Sequence, residues 1–71
     1  MKYYNVQTAD CVEDVEEGCY DRVERGLFTA EQALDLLERG NGGTMREVDG
    51  PGFCVSHIKS ENDWLRKELK L

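Results

Sequence analysis

Between Lys2 and Thr8 the chain alternates. Tyr4, Val6 and Thr8 fall to one side, Tyr3 and Asn5 to the other. A period of two with β-favouring residues predicts a strand. From Asp10 to Arg25 the period becomes helical. At about 100° per residue, Asp10, Asp14, Glu17, Asp21 and Glu24 fall within roughly 60° of each other. Val12, Val15, Cys19 and Val23 fall opposite, with Cys11 and Glu16 at the edges. The stretch reads as one amphipathic helix, capped by Asp10 or Thr8 and stopped by Gly26. Arg22 and Arg25 suit the dipole of its last turn. Gly18 lies inside and costs about 1 kcal/mol relative to alanine. A break there, with a second helix beginning beyond it, is the alternative. Faces that continue in phase on both sides of Gly18 favour the single helix.

Thr29 and Gln32 make a capping box. The helix they open ends at Arg39-Gly40, with Ala30, Ala33, Leu34 and Leu37 on its apolar side. Only Gly26-Leu27-Phe28 joins it to the preceding helix, which predicts a helical hairpin. After the flexible turn Asn41-Gly42-Gly43, Thr44 to Val48 and Gly52 to Ile58 read as strands. Asp49-Gly50-Pro51 is the turn between them. Phe53, Val55 and His57 share one face of the second strand; Cys54, Ser56 and Ile58 share the other. Ser60 caps a last helix in which Trp64, Leu65, Leu69 and Leu71 can be buried while Arg66, Lys67 and Lys70 stay wet. The order is strand, helix, helix, strand, strand, helix. It predicts an α+β fold with a three-stranded, mainly antiparallel sheet packed against helices. Three strands need that cover.

Seventy-one residues, 39% hydrophobic and 34% charged, are the length and composition of one soluble domain spanning 1–71. A chain this short builds one modest core and has little room for an enclosed substrate pocket. It has no apolar run of membrane-spanning length, and Met1 to Gln7 is too polar for a targeting segment. The expected location is the cytosol. Cys11, Cys19 and Cys54 are odd in number and lack a CxxC pair. Cys11 and Cys19 lie roughly 12 Å apart on a helix, too far to bond. Either could pair with Cys54, but the expected state is three buried, reduced cysteines acting as small hydrophobes.

Candidate chemistry is sparse. Cys54 and His57 have metal-like i, i+3 spacing, yet on a strand those positions point to opposite faces. A cysteine nucleophile would need an orienting partner for His57, and nothing local supplies one. Asn41-Gly42-Gly43 precedes a strand and lacks the helix amides of a phosphate cradle. No calcium loop is present. The expectation is a protein with no catalytic residues, no metal and no cofactor.

Charge changes the picture. The formal net charge is -6, and Asp10 to Arg25 holds seven carboxylates against two arginines. Such a chain is repelled by nucleic acid and by anionic lipid, so direct binding to either is not expected. Ordinary solvated helix faces mix Glu with Lys at i, i+4. Here Asp10 and Asp14, Glu13 and Glu17, and Glu31 and Asp35 are like-charge pairs. The next helix repeats the stripe with Glu31, Asp35 and Glu38. A hairpin of the two would show two rows of carboxylates over about 20 Å. The rows are either a solvated face or a display surface for a basic protein partner. On the second reading the contact residues are Asp10, Glu13, Asp14, Glu17, Asp21, Glu24, Glu31, Asp35 and Glu38. Carboxylates in line resemble the phosphates of a nucleic-acid strand.

In length, acidity and element order the whole chain resembles the small anti-CRISPR proteins that phages encode against host defences. The resemblance implies a non-enzymatic inhibitor in the host cytosol. It would mask a basic, nucleic-acid-binding surface of a Cas protein or its guide complex. A homodimeric regulatory or assembly module without nucleic-acid mimicry is the second expectation. Tyr3, Phe53 or Trp64 exposed on an open sheet face would mark it.

Overall fold

The first strand forms where the alternation places it. In the computed structural model, which describes residues 2–71, β1 (Tyr4–Thr8) buries Tyr4 and Val6 and leaves Asn5 and Gln7 exposed. β1 lies inside a four-stranded antiparallel sheet. The other strands are β2 (Arg22–Phe28), β3 (Gly43–Glu47) and β4 (Gly52–Val55), and the spatial order is β2-β1-β3-β4. The fold is α+β, as expected, with one strand more than the sequence pattern predicts. The extra strand is β2, which the pattern assigns to the end of the first helix.

That helix is only Val12–Glu16, here α1. Its end is set by backbone hydrogen bonding at Gly18. Gly18 N–H donates to Val15 C=O at 3.0 Å, and Cys19 N–H donates to Asp14 C=O at 2.8 Å. These are the two bonds of a Schellman ending, and they place Gly18 at φ 79. Glycine takes that left-handed conformation without a Cβ penalty. The alternative of a break at Gly18 is what occurs. The next element is an edge strand and not a second helix. β2 pairs with β1 from Thr8↔Arg22 to Val6↔Glu24. It then skips to Tyr4↔Phe28 across a bulge that contains Gly26.

The second helix, α2 (Ala30–Arg39), matches its sequence signal. Thr29 Oγ1 accepts from Gln32 N–H at 3.2 Å, and Gln32 Oε1 accepts from Thr29 N–H at 3.1 Å. The capping box is reciprocal. β2 and β3 both run antiparallel to β1, which lies between them, so α2 crosses one face of the sheet to connect them. It lays Ala33, Leu34 and Leu37 onto Tyr4, Val6, Met45 and Val55. There is no helical hairpin, because α2 packs on the sheet and α1 is not part of that layer.

β3 and β4 form the hairpin expected around Asp49-Gly50-Pro51, with Met45↔Phe53 and Gly43↔Val55 facing the core. β4 stops at Val55, three residues short of the expected end. The Asn62 side chain takes over there: Oδ1 accepts from Ser56 N–H at 2.9 Å and Nδ2 donates to Ser56 C=O at 2.8 Å. Asn62 is buried and closes a 3-10 turn, Lys59–Asn62, ahead of α3 (Asp63–Leu69). Ser60 makes no cap. Leu65 enters the core and Leu69 packs at its edge, but Trp64 and Leu71 stay exposed. Among the described residues no helix is long and apolar enough to cross a membrane.

Candidate protein-interaction surface

The connection from β1 to β2 concentrates the charge. Its twelve residues Asp10 to Asp21 hold six carboxylates and no Lys or Arg. The nine carboxylates elsewhere are matched by the nine Lys and Arg of the chain, so the whole formal charge of -6 sits on this excursion. Helical periodicity draws the stripe through Arg25. The sharper boundary is visible in the distribution of Lys and Arg alone.

The structure separates the nine candidate contact residues. Glu13 is exposed on α1, Asp14 is half-buried there, and Glu17 is the exposed helix cap. Asp21 lies exposed just before β2. Among the described residues, no salt bridge reaches Glu13, Asp14, Glu16, Glu17 or Asp21. Asp10, in the bend before α1, is 3.4 Å from Arg22, whose other nitrogen is 3.9 Å from Glu24. Glu24 sits on β2 with its side turned as Val6 is, toward the helix-covered face. Glu31 and Asp35 are exposed on α2, and Asp35 pairs with Arg39 one turn on, at 2.9 Å.

Glu38 is no display residue. Its side chain is 8% exposed, and Oε2 accepts from Arg66 at 2.7 Å and from Asn62 Nδ2 at 3.0 Å. Arg66 also donates to Lys59 C=O at 3.2 Å. Expected as a wet cation, it clasps α3 to α2. No sequence spacing signals this contact, since Glu38 and Arg66 meet only in the tertiary fold. The acidic surface therefore consists of α1 and its flanks. The two parallel rows over about 20 Å are not formed, because α1 spans only about 7 Å.

The field of this surface is felt by its own cysteine. At Cys11, which precedes α1, the Asp14 backbone N–H lowers the thiol pKa. The Asp14 carboxylate, slight desolvation and Glu13 raise it by more, so the net direction is up. The cysteines are free but not buried: Cys11 is half-exposed, and Cys19 and Cys54 are exposed. They sit outside the core because α1 buries no residue and Cys54 points to the uncovered sheet face.

That uncovered face is the second notable surface. Asn5, Gln7, Thr44, Arg46 and Cys54 line a basin of about 570 Å³, with Tyr20 at its edge. Burial pushes the Tyr20 hydroxyl pKa up, and the neighbouring Cys54 thiol adds to the shift. Val23 pairs with Gln7 and so belongs to this face, and Tyr3 and Val48 follow by alternation. All three are exposed. Of the aromatic markers named for an open sheet face, Tyr3 is there. Phe53 packs toward the core, and Trp64 stands on α3.

Comparison with protein-family models, with curated proteins and with solved structures finds no match to this chain.

Proposed function

We propose that the protein is a non-enzymatic binding protein whose acidic excursion, Asp10 to Asp21, engages a Lys/Arg-rich surface on another protein. The single observation that supports this reading is the segregation of charge. Six carboxylates without a cation lie on one short excursion, while the rest of the chain is formally neutral. Like charges at Glu13 and Glu17 oppose the short helix that carries them. A basic partner would relieve that repulsion. The most natural basic surface is one built for nucleic acid, and occupying it would inhibit its owner, as in the anti-CRISPR resemblance. A Cas protein or its guide complex is the partner that resemblance implies.

The test is capture of partners from host lysate at low and high salt, followed by a gel-shift assay of their DNA binding. Wild-type protein is expected to retain partners at low salt, lose them as salt rises and block their DNA binding. Glu13→Lys, Glu17→Lys and Asp21→Lys together should abolish capture while leaving the circular dichroism spectrum unchanged. Unaltered capture and salt dependence in that variant would reduce the excursion to ordinary solvated surface.

One observation favours a second reading, a homodimeric regulatory or assembly module. Tyr3, Val23 and Val48 are exposed on the uncovered sheet face. Light scattering after size exclusion decides it: a dimer dissociated by Val23→Lys would support this reading, and a monomer at all concentrations would end it.

A further inference from the structure

The acidic excursion also builds one wall of a groove. Val12 and Val15 of α1 line it together with Ile58 and Trp64, which belong to the chain beyond β4, around a space of about 460 Å³. Trp64 is 54% exposed and Ile58 44%, and the two line the same space. Glu16 and Glu61 also line the groove, with His57 and Ser56 beside them, and among the described residues no Lys or Arg does. Glu61 is exposed on the rim and accepts one bond from Ser56 Oγ at 2.7 Å.

We infer that this groove takes a short segment of the partner chain: one aliphatic side chain flanked by Lys or Arg. The inference deepens the acidic reading above and rests on it. The aliphatic group would replace water against Val12, Val15, Ile58 and Trp64. The flanking cations would meet Glu16, Glu61 and the face of the Trp64 indole, an arrangement that attracts a cation by its ring quadrupole. The carboxylates of Glu16 and Glu61 repel an acidic segment, and they offer a neutral one no charge-assisted contact for its flanks. A second copy of this chain fits poorly, because its own apolar excursion residues are embedded in the same negative charge.

Trp64 is the sole tryptophan, so its emission reports the groove directly. The probes are three synthetic peptide amides: Lys-Arg-Leu-Arg-Lys, its Leu-to-Ser version, and Glu-Glu-Leu-Glu-Glu. Binding is followed by Trp64 fluorescence and by amide chemical shifts of the whole protein. The expected result is that the basic leucine peptide binds about tenfold more tightly than the serine peptide, weakens with salt, and shifts Val12, Val15, Ile58 and Trp64. The acidic peptide should not bind. Ile58→Ser, at an exposed position, should erase the leucine advantage. Equal binding of the leucine and serine peptides, with shifts confined to Glu13 to Asp21, would overturn the groove and leave the acidic reading standing. Equal binding of the basic and acidic leucine peptides would overturn the charge of the occupant. Absence of binding by all three would overturn the inference, while partner capture by the acidic excursion would still be judged by its own charge-reversal variant.

Discussion

The acidic excursion, Asp10 to Asp21, and α2 with its caps, Thr29 to Gly40, are near neighbours in sequence and close in length. They are held by different forces. α2 opens on the reciprocal bonds of Thr29 and Gln32, runs ten residues, and buries Ala33, Leu34 and Leu37. α1 runs five, has no side-chain cap, and buries nothing. A helix that short has no stability of its own. It stays in place through its two tethers, its Schellman ending, and the partial cover of Val12 and Val15. The difference explains where the charge sits. Repulsion among six carboxylates is tolerable on a segment that contributes little to the core. The same repulsion on α2 would fall on the element the sheet depends on.

Truncating a side chain on each helix separates the two regions most strongly. Leu37→Ala on α2 should cost about 3 kcal/mol or more, a large part of what holds so small a domain together. Val15→Ala on α1 should cost less than about 1 kcal/mol, since Val15 is only half-buried. Urea denaturation measures both. Comparable losses would mean that α1 is core after all.

Next in size is the clasp that makes α3 depend on α2. Arg66→Met leaves the Glu38 carboxylate in a site 8% exposed with the Asn62 amide as its remaining partner. Stranding a buried charge costs about 3 kcal/mol, and about 2 kcal/mol is expected here because Arg66 itself is partly exposed. Adding Glu38→Met to the same chain should recover most of that loss, since apolar replacement of a whole pair is close to neutral. If the double variant is no better than Arg66→Met, the loss comes from α3 packing and not from the stranded carboxylate.

A smaller effect decides the sign of one glycine. Were Asp10 to Arg25 a continuous helix, Gly18→Ala would stabilise it by about 1 kcal/mol. In the left-handed position that Gly18 occupies, the same change should destabilise by about 1 kcal/mol. Thr29→Ala, which removes the α2 cap, should cost a similar amount. A gain in stability on Gly18→Ala would restore the long helix.

Gly18 also shows how far the sequence can be read. Its helical faces continue in phase through residue 24, so periodicity alone does not see the ending. The Schellman bonds depend on backbone conformation, and glycine is the one visible sign of it. α2 is legible because its signal is local and redundant: a capping box, an apolar stripe and a terminal glycine agree. β1 and the β3–β4 hairpin are legible for the same reason. β2 is not, because Arg22 to Phe28 is an exposed edge strand whose bulge spoils the alternation. Of the proposed contact residues, Asp10, Glu13, Asp14, Glu17 and Asp21 remain together on the acidic excursion, and of these Asp10 alone is paired among the described residues, with Arg22. Glu38 is lost to Arg66, a partner far away in sequence that no pattern on α2 announces.

The finest comparison lies within the excursion, between Cys11 and Cys19 at its two sides. Cys11 is half-exposed. The Asp14 backbone N–H pulls its pKa down, but the Asp14 and Glu13 carboxylates hold it above the ordinary thiol value. Cys19 is exposed. Alkylation proceeds through the thiolate, so iodoacetamide at about pH 8 should label Cys19 several-fold faster than Cys11, read by mass spectrometry of the two peptides. The folded-state pKa of Cys11 is raised, so its contribution to stability is full below the unfolded value and is lost as pH rises through the folded one. Asp14→Asn removes the carboxylate that raises the Cys11 pKa most. It should speed Cys11 labelling and leave Cys19 unchanged, and added salt should act in the same direction. If neither change moves the Cys11 rate, the crowded carboxylates exert no field on their own surface, and electrostatic attraction of a basic partner loses its local support.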